Sequence, residues 1–212
     1  MDARRADQTG RATDQKVSAI KIRFTNKLIL FSLFLAGSIT AAQDIKPAIP
    51  YLDRGACPFE CCIYRRWTVE AGTVVYKQRS ADSGVAFRLK KGEHVTGVTG
   101  IVVTVNPGKV VVKRARTIGQ EAKVRVKPGD VLYVLHYQGE GVFKVWFRGK
   151  TYDEELPAPP DLVSKTPVPR EDADFRVVSE ADAVWWVQVK NARGEIGWTK
   201  ETDHFGNMDS CG

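Results

Sequence analysis

The chain has little of what most enzymes use for chemistry. Its 212 residues include three histidines, four cysteines and two methionines. It contains no Gly-rich phosphate loop, no Gly-x-Ser-x-Gly nucleophile motif and no His-Glu-x-x-His metal motif. Its clustered carboxylates, such as Asp153 and Glu154, follow a strand pattern, whereas a catalytic pair needs a cleft that raises one pKa. We therefore expect no enzymatic activity, no metal and no cofactor.

The chain also offers no hydrophobic run that clearly spans a membrane. A spanning helix needs about 20 apolar residues, whereas Leu28–Ala42 has 15 and its second half is made of small side chains. Lys21, Arg23 and Lys27 precede this run, which gives the three parts of a secretory signal. We predict an N-terminal extension and signal peptide at residues 1–42, cleaved near Ala42, and a periplasmic or secreted protein. A retained membrane anchor is the alternative.

A strong excess of positive charge is missing once this signal is set apart. The net charge of the whole chain is +7, but residues 1–42 hold seven of the 32 Lys and Arg and three of the 25 Asp and Glu, which leaves +3. Nucleic-acid binding requires a clustered basic face. The most basic run, Lys109–Arg116, lies in a strand pattern and is explained by a solvated strand face. We expect no nucleic-acid partner and no stable membrane span after cleavage.

The four cysteines stand at the two ends of the predicted mature chain. They are Cys57, Cys61, Cys62 and Cys211. An even number in an exported chain favours disulfides, and a bond between the adjacent Cys61 and Cys62 would close a strained ring. The other two pairings tie Cys211 to the lead segment and bring the chain ends together. A thiolate metal site and a thiol enzyme using Cys61 or Cys62 are the alternatives, although the spacing lacks a Cys-x-x-Cys pair.

Short strand patterns begin at Trp67 and are separated by turn signals every 8–12 residues, which predicts an all-β sandwich or barrel. Asn106-Pro107-Gly108 predicts a hairpin between Ile101–Val105 and Lys109–Lys113. In the Cys-containing lead segment, residues 43–66, Pro58 predicts a short helical turn or a disulfide-pinned loop. The Pro-rich residues 156–172 predict a linker, or a ligand for another SH3-like domain.

Two separated stretches resemble the bacterial SH3-like domain. Gly72–Val98, GTVVYKQRSADSGVAFRLKKGEHVTGV, is similar to the opening of that domain, and Val184–Glu201, VWWVQVKNARGEIGWTKE, is similar to its close. Between them, Val124–Tyr152 repeats the same sequence of turns and strands, which indicates a second SH3-like unit.

The resemblance implies two packed β units built as small SH3-like barrels. The first barrel is discontinuous, with residues 67–99 plus 183–204, and the second unit comprises residues 100–155. Residues 205–212 form a Cys-bearing tail. The two halves of the first barrel should pair, which agrees with a disulfide between the chain ends.

Peptide-binding SH3-like barrels use aromatic side chains along a shallow groove. The candidate ligand-binding residues are Trp186, Tyr64, Trp67 and Trp146. Adjacent strand residues face opposite sides of a sheet, so we expect Trp185 to point inward and Trp186 outward. In the alternative, Trp186 packs against the inserted unit or the linker. We expect Trp198 to lie in the core.

These patterns together predict an exported, non-catalytic SH3-like binding module for a peptide, a cell-wall fragment or an envelope protein. The alternative from a different class is a structural, disulfide-closed envelope protein without a ligand groove.

Overall fold

The structure is a computed structural model that describes residues 45–157 and 172–211. The chain alternates between strands and turns throughout these ranges, and they contain no α-helix, which confirms the predicted all-β class. A 3-10 turn at Thr202–His204 precedes the last strand. The strands are β1 (Tyr51–Arg54), β2 (Arg66–Val69), β3 (Thr73–Gln78), β4 (Ser80–Leu89), β5 (His94–Asn106), β6 (Gly108–Val112), β7 (Arg116–Ile118), β8 (Val124–Val126), β9 (Val131–Gly139), β10 (Val142–Phe147), β11 (Lys150–Glu155), β12 (Phe175–Ser179), β13 (Asp182–Lys190), β14 (Ile196–Thr199) and β15 (Phe205–Gly206).

The larger sheet is antiparallel and curls into a half-barrel. Its eight strands have the order β15-β2-β5-β13-β14-β3-β4, and β1 pairs with β5 beyond β2 on the same edge. At its centre β13 lies against β5, so that Trp185 is opposite Val102 and Val187 is opposite Gly100. Trp198 of β14 is opposite Tyr76 of β3. Residues of the two separated stretches are thus neighbours in one sheet, through Trp198 with Tyr76 and Val189 with Gly97.

The concave face of the larger sheet holds the first hydrophobic core. Alternation places Val187 and Val189 of β13 on this face, beside Val75, Val95 and Trp67, all of which are buried. Trp67 is fully buried, and its indole N–H donates to the carbonyl of Ile63 at 3.0 Å. A Cβ at position 97 would lie 2.5 Å from the Trp67 ring, so glycine there lets β5 approach the indole closely.

The smaller sheet encloses a second core. It has five antiparallel strands in the order β11-β10-β9-β6-β12, and β7 and β8 form a separate two-stranded ribbon. Its buried side chains include Leu132, Val145, Phe175 and, from the ribbon, Ile118. Each sheet therefore has its own core, which confirms two packed β units.

The predicted hairpin at Asn106-Pro107-Gly108 is wrong. β6 pairs with β9 and β12 and not with β5, so the chain passes here from the larger sheet to the smaller one. A Cβ at Gly108 would lie 2.8 Å from the backbone of Ser179 and Ala181, and glycine at this position lets the crossing chain fit against them. β5 itself runs without interruption across the predicted boundary between residues 99 and 100.

Two disulfides hold the ends of the described chain together. Cys57 is bonded to Cys62, and Cys61 is bonded to Cys211 across 150 residues. The lead segment around them is a loop with no helical turn, which corresponds to the second of the two predicted forms. Backbone pairing supports the same arrangement, because β15 pairs with β2 and Cys62 pairs with Asp209.

Some predictions concern residues outside the described ranges. They are the signal peptide of residues 1–42 with its cleavage near Ala42, and most of the Pro-rich linker, residues 158–171. Within the described part there is no helix of the length and apolarity that crossing a bilayer requires.

We expect the double substitution Cys61→Ser/Cys211→Ser to lower the free energy of unfolding by about 5 kcal/mol, because the bond closes a loop of 150 residues. The matched control is Cys57→Ser/Cys62→Ser, whose bond spans 5 residues and is worth about 2 kcal/mol in the same chain-entropy model. Urea unfolding followed by tryptophan fluorescence measures both. Equal losses in the two variants would contradict the role of the longer bond as the clasp between the chain ends.

Candidate functional site

The four predicted ligand-binding aromatics do not form one groove. Trp67 is fully buried in the first core and therefore offers no surface to a ligand. Tyr64 packs against it with a ring separation of 5.7 Å, and its hydroxyl donates to the carbonyl of Ala56. Burial raises the pKa of Tyr64 to about 12. Both rings stabilise the lead segment against the sheet.

Trp185 and Trp186 lie on opposite faces of β13, but Trp186, expected to point outward, is the more buried of the two rings. Trp185 packs partly against the first core. Trp186 lies on the opposite face beside its cross-strand neighbour Ile101 and contacts Tyr76 edge-on at 6.4 Å. These neighbours leave only 9 % of Trp186 exposed.

Trp198 and Trp146 are each half-buried in different sheets. Trp198, predicted to lie in the core, is on the outer face of the larger sheet, with the guanidinium of Arg79 5.7 Å from its ring. Trp146 of β10 contacts Tyr51 edge-on at 6.4 Å, and its indole N–H donates to the carbonyl of Ile45 at 2.7 Å. Trp146 therefore holds β1 and the chain before it against the smaller sheet.

The sequence leaves a thiol enzyme open as an alternative, but the described part of the chain contains no free thiol that could carry out such chemistry. All four cysteines are disulfide-bonded. Glu60, Cys61 and Cys211 lie close enough together to hold a metal ion, but both sulfur atoms of that cluster belong to a disulfide. A metal site of this kind needs thiolates.

The basic run Lys109–Arg116 is partly neutralised. Arg114 and Arg116 both bind Asp174, at 2.6 Å and 2.9 Å. Arg116 also lies 3.1 Å from Glu154, a buried carboxylate that accepts the backbone N–H of Gly119. Burial raises the pKa of Glu154, whereas the hydrogen bond from Arg114 lowers that of Asp174. This network links the ribbon to the smaller sheet.

A pocket lies instead between the two sheets. It has a volume of about 320 Å³. Val102 and Trp185 form its wall on the larger sheet, and Val134, Phe143 and Val177 form its wall on the smaller sheet. An apolar cavity with a few polar groups at its side is the usual form of a binding site, and this volume lies near the lower end of the range of roughly 300–1,000 Å³.

His136 is the most buried polar side chain of this pocket. Its exposure is 5 %, and a bulge in β9 opposite β10 sets its position. Nε2 lies 2.8 Å from Oδ2 of Asp53, and Nδ1 lies 2.8 Å from the carbonyl oxygen of Tyr137. An oxygen acceptor therefore lies within hydrogen-bond distance of each ring nitrogen, and these two contacts fix the orientation of the ring.

Asp53 connects the two sheets through this contact. It belongs to β1 of the larger sheet, and its carboxylate meets His136 of β9 and, at 3.7 Å, Lys144 of β10. Burial raises the pKa of the Asp53 carboxyl, but the hydrogen bond from His136 and the charge of Lys144 outweigh it, and the pKa lies below its ordinary value of 3.8. A second bond between the sheets runs from the Thr104 hydroxyl to the carbonyl of Leu135 at 2.9 Å.

Sequence reasoning missed the pocket and its polar side. Asp53 and His136 are 83 residues apart, and neither stands in a motif. Alternation predicts that Trp185 points inward, but it gives only the face of a strand and not what lies opposite that face. The pocket exists because the larger sheet packs against the smaller one, and no local sequence pattern predicts that packing.

Comparison of the chain with family models, curated proteins and solved structures finds no match.

We expect Asp53→Asn to lower the free energy of unfolding by about 1.5–3 kcal/mol at pH 7, because the substitution removes the charge-assisted partner of His136. The stability that this carboxylate contributes is present above pH 3.8 and is lost as the pH falls through the lower pKa of the folded state. The difference between variant and wild type should therefore shrink towards pH 3.

Urea unfolding at a series of pH values measures this difference. Asp82→Asn is the control, since Asp82 is an exposed carboxylate of β4. A loss that does not change with pH, or the same loss in the control, would contradict the role of Asp53.

Proposed function

We propose that this chain is an exported, non-catalytic binding module that receives an apolar side chain of an extended peptide segment in the pocket between its two sheets. The observation that carries the proposal is the pocket itself, with its apolar walls and the buried His136 at its side. The peptide belongs to a cell-wall fragment or to an envelope protein.

The chemistry of the lining supports a peptide ligand. Val102, Val134 and Phe143 favour an apolar group, because burying such a group releases about 25 cal/mol per Å² of apolar surface. Tyr137 and Glu180 bring polar atoms to the same pocket and suit the backbone of a peptide. An apolar anchor with polar groups nearby is how peptide-binding modules obtain both affinity and orientation.

The edge of the smaller sheet gives an extended segment a place to lie. Among the described strands, β12 pairs only with β6, so its other edge presents backbone groups. Val177 and Ser179 of β12 line the pocket. A segment added along this edge would point every second side chain to the same face of the sheet, and thus towards the pocket.

The pairing of distant parts supports the SH3-like interpretation of the module. The stretches that resemble the opening and the close of that domain are neighbours in one sheet, through β13 with β5 and β14 with β3. The disulfides indicate an oxidising compartment. Together with the signal pattern of residues 1–42, they support export to the periplasm or the medium.

The second candidate function is structural, and the burial of the aromatics favours it. Trp67 is fully buried and Trp186 is 9 % exposed, so the rings first assigned to a ligand serve the fold. A purely structural envelope protein would leave the pocket without a ligand.

The substitution Ala183→Trp tests the binding function. Ala183 is exposed and lines the pocket, so an indole there should fill the cavity without removing a core contact. We expect the variant to keep its unfolding transition and to bind peptides at least about tenfold more weakly, a loss of ~1.4 kcal/mol. The probe is an array of short extended peptides with single Leu or Phe anchors, followed by calorimetry on those retained.

The matched control is Val85→Trp, which adds an indole at a position 41 % exposed that does not line the pocket and lies on β4, at the far edge of the larger sheet from β12. If the Ala183→Trp variant binds peptides as tightly as the wild type, the pocket is not the binding site. An equal loss in both variants would show that peptides bind elsewhere on the surface. A wild-type protein that binds no peptide of the array would favour the structural candidate.

A further inference from the structure

A second pocket, of about 270 Å³, lies at the other end of the larger sheet. Three segments meet there: β2, the turn between β4 and β5, and the turn between β13 and β14. Trp185 of the first pocket and Asn191 of the second are six residues apart, which is about 20 Å along a strand. The two pockets are therefore separate sites.

The lining of this second pocket is strongly basic. Three arginines, Arg66, Arg88 and Arg193, line it together with a single acidic residue of the described lining, Glu93. Glu93 is partly engaged, because its carboxylate accepts the backbone N–H of Lys90 at 3.1 Å. The pocket thus concentrates positive charge that its own walls do not offset.

Strand register adds a further cation beside the pocket. Arg66 of β2 and Lys190 of β13 are both opposite Thr96 of β5, so the three residues form one row across the sheet. Trp67, next to Arg66, is fully buried in the core, and alternation therefore turns the row away from the core.

Two of the arginines are available to a ligand. Arg193 is already paired with Glu195 at 2.7 Å, within a turn fixed by hydrogen bonds to the amide of Asn191. The guanidinium groups of Arg66 and Arg88 have neither an ion pair nor a hydrogen bond among the described residues. Guanidinium groups bind carboxylate and phosphate oxygens in pairs of parallel hydrogen bonds.

We propose that this basic pocket binds an oxyanion, a phosphate or a clustered carboxylate group, through Arg66 and Arg88. The proposal does not depend on the peptide function of the first pocket. The hydrogen-bonded turn at Asn191–Glu195 forms one wall of the site. Arg66 and Lys190, which lie in one row across the sheet, provide the positive electrostatic potential that attracts the anion.

Calorimetric titration with pyrophosphate and, separately, with citrate tests the proposal on the disulfide-bonded protein. We expect saturable binding of at least one of the two anions, and the tighter of the two identifies phosphate or carboxylate as the preferred group. The variant Arg66→Gln/Arg88→Gln should bind about tenfold more weakly or worse, because each guanidinium contributes charge-assisted hydrogen bonds. Its unfolding transition should stay close to that of the wild type, because neither guanidinium has an ion pair or a hydrogen bond among the described residues.

The control is Arg125→Gln/Arg176→Gln, which removes the same charge from exposed positions of β8 and β12 outside this pocket. It should change the affinity by less than about twofold, since exposed charges beyond a Debye length are largely screened. An equal loss in the control, or binding that never saturates, would overturn the proposal in favour of a diffuse attraction. The Ala183→Trp variant should bind the anion like wild type, which keeps this test distinct from that of the first pocket.

Discussion

The pairing of β5 with β13 is the constraint on which the rest of the structure depends. β5 offers one edge to β2 and β1, which come from the beginning of the described chain, and the other edge to β13, which comes from near its end. The smaller sheet lies in the sequence between these two strands. When β13 returns to β5, it closes the larger sheet over the first core and places the crossings to the smaller sheet at one end. The disulfide from Cys61 to Cys211 then stabilises an arrangement that strand pairing already defines.

Both candidate sites follow from this single pair of strands. Near one end, Val102 and Trp185 stand opposite each other and form the wall of the pocket between the sheets. Near the other end, Thr96 and Lys190 are opposite each other beside the basic pocket. The contact of Asp53 with His136 fixes the first site, because β1 is held on β5 and reaches the smaller sheet from there.

Much of the fold could be predicted from local chemistry. The turn at Lys127–Asp130 has glycine in the left-handed region, with Gly129 at a φ of +89°, and the Asp130 carboxylate accepts the N–H of Lys127. Period-two alternation predicts that Trp185 and Trp186 lie on opposite faces of β13, but it does not predict that both faces are covered. The partner with which a strand pairs is harder to predict from local sequence. Asn106-Pro107-Gly108 has the residues of a hairpin turn and yet leads from one sheet to the other.

The candidate site was harder to predict than the fold for a physical reason. Large aromatic rings are readily covered by their neighbours in the fold: Trp67 lies in the first core, and Trp186 is covered on the opposite face by Ile101 and Tyr76. The binding space arises where two units meet, and its polar group, His136, acquires its role only through Asp53, which is 83 residues away.

Nuclear Overhauser contacts between β5 and β13, recorded on isotope-labelled protein, are the sharpest test of this strand pairing. We expect backbone contacts between Val102 and Trp185 and between Thr96 and Lys190, with a break in register between Gln188 and Val189. A ladder displaced by one residue would contradict it, because such a shift turns Trp185 to the other face of the sheet and removes it from the pocket. Pairing of β13 with any other strand would contradict it as well.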